Sequence, residues 1–166
     1  ERMRDGMIKD FNIAENMILR EHDQPIFSKH GFLKLRDISE HTQKLIDQYS
    51  VKTPSQKTLA KSLSGGNIQK IVLARELSRN PRTIIAAQPT RGLDIGAAEY
   101  VREQLLIQRK NNTAVLLISE DLDEILALSD RIAVIYEGKI IAVLERDEAT
   151  KEEIGLLMAG VNLEKE

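Results

Sequence analysis

Residues 83–144 alternate short apolar segments with helical patterns. Residues 83–87 are too short for a helix and residues 113–119 form a continuous apolar run, so both are predicted as buried strands. Residues 95–108, between them, carry apolar side chains four positions apart, as on one face of a helix. Buried strands alternating with helices predict a parallel sheet covered on both faces. The sequence therefore predicts an α/β fold.

The other elements are predicted from shorter patterns. Residues 132–136 and 139–144 read as two strands joined at Glu137-Gly138, a dipeptide typical of hairpin turns. Further helices are predicted at residues 68–77, 121–128 and 150–158, and after capping boxes formed by Asn12 with Glu15 and by Asp37 with Glu40. Asp121 with Glu124 is predicted to form a third capping box, at the start of residues 121–128. Residues 21–35 and 50–62 are predicted to be loop and connector.

Composition excludes several classes of protein. The 166 residues suit one compact domain, and 24 basic against 26 acidic residues give a net charge of −2, which argues against a nucleic-acid partner bound by bulk charge. No run of 18 apolar residues is present, so no membrane-spanning helix is predicted. The sequence contains no cysteine, which excludes disulfides and thiolate metal ligands. The three histidines, His22, His30 and His41, lack metal-ligand spacing, so no metal site is predicted.

A Ser-Gly-Gly segment precedes the helix predicted at residues 68–77. Glycines let backbone N–H groups approach an anion closely, and the helix that follows presents further N–H groups and the positive end of its dipole. Ser64 adds a hydroxyl donor. The segment predicts a phosphate-binding site, although a flexible loop with a helix cap explains these residues equally well.

A second candidate segment follows the strand predicted at residues 83–87. Ligands bind at the carboxyl ends of strands in open α/β sheets, and Pro89-Thr90-Arg91-Gly92-Leu93-Asp94 occupies such an end. Taken alone, Asp94 is more simply explained as the cap of the helix that begins at Ile95.

Together, LSGGNIQK and a strand leading into QPTRGLD about twenty residues later resemble the ATP-binding-cassette (ABC) ATPases. LARELSRNP and LALSDRIAVIYEGKI fit the same order and spacing, so the resemblance extends over nearly the whole chain. It is greatest to the second, C-terminal cassette of the tandem ATPase subunits of bacterial sugar and nucleoside importers. AAQPTRGLD favours the nucleoside branch, and Asn67, where most of the family has glutamine, fits the sugar-importer branch.

The resemblance implies roles for particular residues. The family signature corresponds to Leu63, Ser64, Gly65, Gly66 and Asn67. In the family two cassettes meet head to tail, and the signature of one contacts the ATP held mainly by the other. Asp94 corresponds to the D-loop aspartate at the cassette interface. ATP and Mg²⁺ are the implied cofactors of the assembled parent protein.

Three positions depart from the family pattern. After the strand at residues 83–87 the family has an aspartate that holds Mg²⁺ through water and a glutamate that acts as general base. Here these positions are Ala87 and Gln88, and the usual switch histidine corresponds to Glu120. An amide cannot accept a proton near neutral pH. No catalytic residue of this cassette's own site is therefore intact, and we expect that site to be degenerate.

The phosphate-loop pattern G-x-x-x-x-G-K-[S/T] is also missing. Gly155 and Gly160 have the right separation, but Val161-Asn162 follows them. We therefore expect the chain to be a fragment that starts after the phosphate loop and Q-loop, to be inactive alone and to bind no nucleotide tightly. We expect three parts: a helical signature subdomain at residues 1–75, a portion of a P-loop-NTPase core at 76–145, and a C-terminal helix and tail at 146–166. The core portion is expected to contain a partial, mostly parallel sheet that ends in a hairpin.

The expected partners are the N-terminal cassette of the same subunit, permease subunits and, indirectly, a substrate-binding protein, at the cytoplasmic face of the plasma membrane. One alternative is a non-catalytic module that docks on a permease or cassette. The other is a soluble ABC ATPase of DNA repair or translation, which the lack of sustained heptads and of a basic block disfavours.

Overall fold

The structure is a computed structural model that describes residues 6–161. Contacts divide these residues into two compact units. The first contains the residues up to Arg82 together with Thr90–Val101, and the second contains Thr83–Pro89 and the residues from Arg102 onward. The segment that follows the strand at residues 83–87 is thus assigned to the first unit, although that strand itself belongs to the second.

The first unit is mainly helical. Its elements are α1 (Ile13–Met17), β1 (Ser28–Lys29), β2 (Phe32–Leu33), α2 (Leu35–Gln48), a 3-10 turn (Ala60–Ser62), α3 (Gly65–Leu77) and the start of α4 (Ile95–Lys110). Helix α1 packs on α2 and α3. Ile13, Met17 and Ile71 are almost fully buried and form the centre of this packing. The unit therefore has a hydrophobic core of its own.

The predicted capping boxes have different outcomes in the first unit. Asn12 caps α1 and exchanges both expected hydrogen bonds with Glu15, so this prediction is confirmed. The box at Asp37 is wrong, because α2 begins at Leu35 and Asp37 lies in its first turn. The Asp37 carboxylate lies 3.8 Å from the ammonium of Lys34, which is the N-cap residue, within ion-pair distance.

A short hairpin interrupts the segment predicted as loop at residues 21–35. β1 and β2 pair in antiparallel register through a turn at His30 and Gly31, whose φ angles are 52° and 82°. Glycine adopts such angles without steric cost, which accounts for Gly31. Strands of two residues carry too little periodicity to be recognised in a sequence.

The second unit contains the remaining strands. They are β3 (Thr83–Ala87), β4 (Ala114–Ile118), β5 (Arg131–Tyr136) and β6 (Lys139–Glu145), with α5 (Leu122–Leu128), α6 (Lys151–Met158) and the rest of α4. β3 and β4 pair in parallel, and β5 and β6 form the predicted hairpin. Glu137 and Gly138 both have positive φ, as a two-residue hairpin turn requires.

The strands form separate pairs, whereas the sequence predicted one mostly parallel sheet. Among the described residues the parallel pairing is limited to β3 with β4. A mostly apolar cavity of about 690 Å³ is lined by residues of both β4 and β5, Val115, Leu117, Ile132 and Val134 among them. Continuous burial was predicted for β4, but alternate residues of this strand are exposed. A strand is buried on both faces only where a layer of structure covers each face, so one face of β4 is left uncovered among the described residues.

No helix in residues 6–161 is both long and apolar enough to span a membrane.

Candidate functional site

The Ser-Gly-Gly segment forms the start of α3. Ser64 has extended backbone and is the N-cap, and Gly65 and Gly66 are the first two helical residues. Leu63, before them, is half-buried and donates its N–H to the carbonyl of Ala60 at 3.2 Å. The first N–H groups of a helix have no partner within the helix, so α3 presents donors beside the exposed Ser64 hydroxyl. The five positions predicted to form the signature thus lie together at one helix end.

The side chain of Asn67 is held at both of its polar atoms. Its Oδ1 accepts a 2.8 Å hydrogen bond from the backbone N–H of Lys52, and its Nδ2 donates to Ser64 Oγ at 3.0 Å. The backbone N–H of Asn67 also donates to Ser64 Oγ, at the longer distance of 3.5 Å. Asn67 therefore connects the N-cap of α3 to the segment that follows α2.

Asp94 caps α4, as the simpler interpretation of that residue predicted. Its Oδ1 accepts a 2.9 Å hydrogen bond from the N–H of Ala97. The same turn packs on α3, because a Cβ added at Gly66 would lie only 3.2 Å from the Cβ of Ala97. Gly66 thus allows the first turn of α4 to approach the start of α3. The structure brings Asp94 and the signature positions together in the first unit.

Helix α3 is anchored by two residues that were not among the site residues predicted from the sequence. Lys70 Nζ donates to the carbonyl of Ser50 at 2.9 Å and lies 4.6 Å from the ring centroid of Tyr100. The Tyr100 hydroxyl in turn donates to the carbonyl of Tyr49 at 3.0 Å. Both carbonyls follow the last turn of α2, where the helix dipole favours a cation. Lys70 ends the LSGGNIQK segment and Tyr100 lies outside the quoted motifs. No local signal indicates that these two side chains, 30 positions apart, would meet.

The end of β3 presents different chemistry. Ala87 is exposed and contributes a methyl group, and Gln88 is half-buried. The Gln88 backbone has a φ of 49°, and its N–H donates to the carbonyl of Ile118 at 2.7 Å. A left-handed backbone at a residue other than glycine has a conformational cost, so the hydrogen bond to β4 helps to hold this turn. No acidic group stands at either position.

Glu120 lies two residues beyond the end of β4. Because β3 and β4 are parallel with Ala87 opposite Ile118, Glu120 and Gln88 follow the same edge of the pair. The Glu120 side chain is exposed. A carboxylate at this edge would repel a phosphate, where a histidine could donate a hydrogen bond to it.

Part of the predicted capping box at α5 is wrong. Asp121 caps the helix by accepting from the N–H groups of Asp123 and Glu124 at 2.9 and 3.2 Å. The Glu124 carboxylate does not return to the cap: it is fully buried, with Oε1 3.5 Å from Arg102 Nε. Arg102 also donates to Asp121 at 3.0 Å. The guanidinium thus draws Glu124 inward, a role that its position in the sequence does not reveal.

The described residues fit a magnesium ion poorly. Mg²⁺ prefers carboxylate, phosphate and water oxygens in octahedral geometry, and Ala87 and Gln88 supply no carboxylate. Within residues 6–161, no group of three His, Cys, Asp or Glu side chains is arranged to hold a metal.

Comparison with curated proteins gives relatives over nearly the whole chain. The nucleoside import ATP-binding protein NupA of Lactococcus lactis is 45% identical over 163 residues, 98% of this chain and 32% of that protein. The guanosine import ATP-binding protein NupO of Bacillus subtilis is 49% identical over 160 residues, 96% of this chain and 31% of that protein. The glucose import ATP-binding protein TsgD13 of Haloferax volcanii is 41% identical over 162 residues. The chain spans about a third of the length of these relatives. No protein-family model matches it.

Solved structures agree on the fold. The dimeric, ADP- and phosphate-bound ATP-binding cassette MJ0796 superposes with a TM-score of 0.66 at 21% identity, covering 84% of this chain and 59% of that one. The ADP-bound cassette MJ1267 gives 0.63 at 23% identity, covering 91% and 60%. These likenesses show the α/β fold of ABC ATPase cassettes, so the predicted fold class is confirmed. The homologues are ABC import ATP-binding proteins, and the family resemblance is confirmed with them.

Proposed function

From its homology to ABC import ATP-binding proteins, we propose that this chain is part of a C-terminal ATP-binding cassette in a nucleoside or simple-sugar importer. Its signature, residues 63–67, contacts an ATP molecule held mainly by a partner cassette. The observation that carries the proposal is the intact start of α3, where the exposed Ser64 N-cap lies beside unpaired helix N–H groups. The nucleoside relatives, at 45% and 49% identity against 41% for the glucose importer, favour nucleosides as cargo.

The chemistry of the α3 start supports contact with a phosphate. Helix α3 has 13 residues, long enough for a helix dipole to develop. The positive end of this dipole and the free N–H groups lie at the same helix end, so both attract an anion there. Gly65 and Gly66 present no side chain that would separate these donors from a phosphate oxygen. We propose that the Ser64 hydroxyl donates to the same phosphate, with Asp94 nearby at the cassette interface.

The cassette's own ATP site is proposed to be degenerate. Mg-ATP hydrolysis needs a group that orients the metal and a base for the attacking water, and losing a well-placed base typically costs roughly 10²–10⁴ in rate. Ala87 and Gln88 supply neither. Glu120 would repel the γ-phosphate, so it does not replace the base. Hydrolysis then takes place in the site that receives the signature of this chain.

The proposed partners follow from this arrangement. The assembled protein uses ATP and Mg²⁺, and its N-terminal cassette supplies the phosphate loop that faces residues 63–67. Permease subunits bind the paired cassettes at the cytoplasmic face of the membrane, and a substrate-binding protein delivers the cargo to the permease.

The test compares two substitutions in the full-length subunit. We expect Gly66→Asp to lower ATPase activity by about 10² or more, because it puts a carboxylate among the phosphate donors and a Cβ against Ala97. We expect Gln88→Ala to keep roughly half of the activity or more, because an amide is no general base.

Gly155→Asp is the matched control for Gly66→Asp, since a Cβ at Gly155 meets nothing within 4 Å. It should keep its activity. A loss of activity in Gln88→Ala similar to that in Gly66→Asp would contradict the proposed degenerate site. Full activity in Gly66→Asp would contradict the proposed signature, and would favour a docking module without nucleotide chemistry.

A further inference from the structure

The hydrogen bonds around Ser64 determine which way its hydroxyl proton points. A hydroxyl has one O–H donor and two acceptor lone pairs. Ser64 Oγ receives the Asn67 side-chain Nδ2–H at 3.0 Å and, less closely, the Asn67 backbone N–H at 3.5 Å. Both contacts use Ser64 as an acceptor. Its own proton is therefore directed away from Asn67.

The orientation of the Asn67 amide is set independently of Ser64. The nitrogen and oxygen of an asparagine amide are assigned from the hydrogen-bond network, and a backbone N–H can only donate. The N–H of Lys52 lies 2.8 Å from one end of the amide, so that end must be the oxygen. The NH₂ end consequently faces Ser64. A flipped amide would place two donors against each other at Lys52.

No acceptor for the Ser64 proton is present among the hydrogen bonds of residues 6–161, and Ser64 is exposed. We propose that Asn67 is a positioning residue that holds Ser64 as a hydrogen-bond donor to a phosphate oxygen of the incoming nucleotide. This inference rests on the proposed function of residues 63–67 and adds a specific role for the fifth signature position.

The role explains why the amide matters at this position. An aspartate at position 67 would still accept from Lys52 with one oxygen, but its other oxygen would face Ser64 Oγ as an acceptor. The Ser64 proton would then turn inward, and the phosphate would lose a donor. Alanine would leave the hydroxyl free to rotate, so the donor would be present but not preorganised.

The experiment is a double-mutant cycle in the full-length subunit assembled with its permease, measuring kcat and the KM for ATP. Ser64→Ala removes the donor itself, and we expect roughly a tenfold to hundredfold loss of kcat, as for a hydrogen bond to a charged group. Because the partner cassette holds most of the ATP, the KM should change less than about threefold.

The effect of position 67 should depend on Ser64. We expect Asn67→Ala to lower kcat about three- to tenfold, and Asn67→Asp more, when Ser64 is present. In the Ser64→Ala background, Asn67→Ala should change kcat less than about twofold, because no hydroxyl remains to be positioned. Any loss that Asn67→Asp still causes there measures the repulsion between its charge and the phosphate.

The possible failures can be told apart. If Asn67→Ala lowers kcat equally with and without Ser64, its role is only to hold the segment at Lys52, and the inference is overturned. If Ser64→Ala leaves kcat unchanged, the signature does not contact the reacting nucleotide, and the proposed function fails together with the inference.

Discussion

The start of α3 and the end of β3 differ in what each could offer a nucleotide. The α3 start combines N–H groups, two glycines and a hydroxyl that is held in place by Asn67. The β3 end has a backbone hydrogen bond to β4 from the left-handed residue Gln88, but its side chains are a methyl group and an amide. Hydrogen bonds thus hold the backbone in both regions, but only the start of α3 combines a hydroxyl with the first N–H groups of a helix. The degenerate ATP site proposed above rests on this difference in side chains, since the two regions do not differ in whether their backbone is held.

The largest expected effect concerns nucleotide affinity. Calorimetry on the 166-residue chain alone should detect no Mg-ATP binding tighter than about 1 mM, or roughly −4 kcal/mol, because the sequence contains no phosphate loop. The full-length subunit under the same conditions is the control and should bind far more tightly. Micromolar binding by the chain alone would show that it holds a nucleotide at residues other than the start of α3 and the end of β3.

The second unit should depend strongly on its buried ion pair. Arg102→Met leaves the fully buried Glu124 carboxylate without its cation. Arg102 is partly exposed, so we expect a loss of about 2 kcal/mol in the free energy of unfolding, below the 3–5 kcal/mol typical of fully buried pairs. Urea denaturation of the chain measures it. In a Glu124→Gln background the same substitution should cost less than about 1 kcal/mol. An equal cost in both backgrounds would exclude this pair as the cause.

The anchor of α3 should contribute less. Lys70→Met removes a hydrogen bond to Ser50 and the cation–π contact with Tyr100. We expect a loss of about 1 kcal/mol, or a decrease of roughly 2–4 °C in the melting temperature. Lys70→Arg keeps the charge and should recover about half of the loss. An unchanged melting temperature in Lys70→Met would show that α3 is held by apolar packing alone.

The smallest expected effect is a pH dependence from His41. Burial lowers the pKa of His41 below its ordinary value of 6.5, partly opposed by the Glu21 carboxylate and reinforced by Lys44. The unfolded chain then binds a proton more readily than the folded one, so stability is present above about pH 6.5 and is lost as the pH falls through the lower, folded-state pKa.

The matched variant for this effect is His41→Gln, which cannot titrate. Between pH 7.5 and 5.5 it should lose less stability than the original chain, by well under about 1 kcal/mol, because solvent screens the partly exposed ring. Chemical denaturation at both pH values measures the difference. Equal losses in the two proteins would assign the pH dependence to other groups.

Strong local patterns predicted most of the elements. β3 lies at the predicted residues, and the helix predicted at 68–77 extends back to Gly65, because the glycines continue the helix up to the Ser64 cap. The errors in the capping boxes occurred where side chains had several possible partners. Asp37 is engaged by a lysine, and Glu124 is drawn to an arginine that is 22 positions away in the chain. Local capping rules cannot anticipate these competing charges.

The sequence by itself determined the family resemblance and the candidate site residues, because LSGGN, PTRGLD and the departures at Ala87 and Gln88 are short local patterns. Only the tertiary structure decided how these residues are held. The contacts of Asn67 with Lys52, of Gly66 with Ala97 and of Lys70 with Tyr100 join segments that are 15 to 31 positions apart. Such contacts form when helices pack, and helical periodicity specifies which face is buried but not which side chains meet across it.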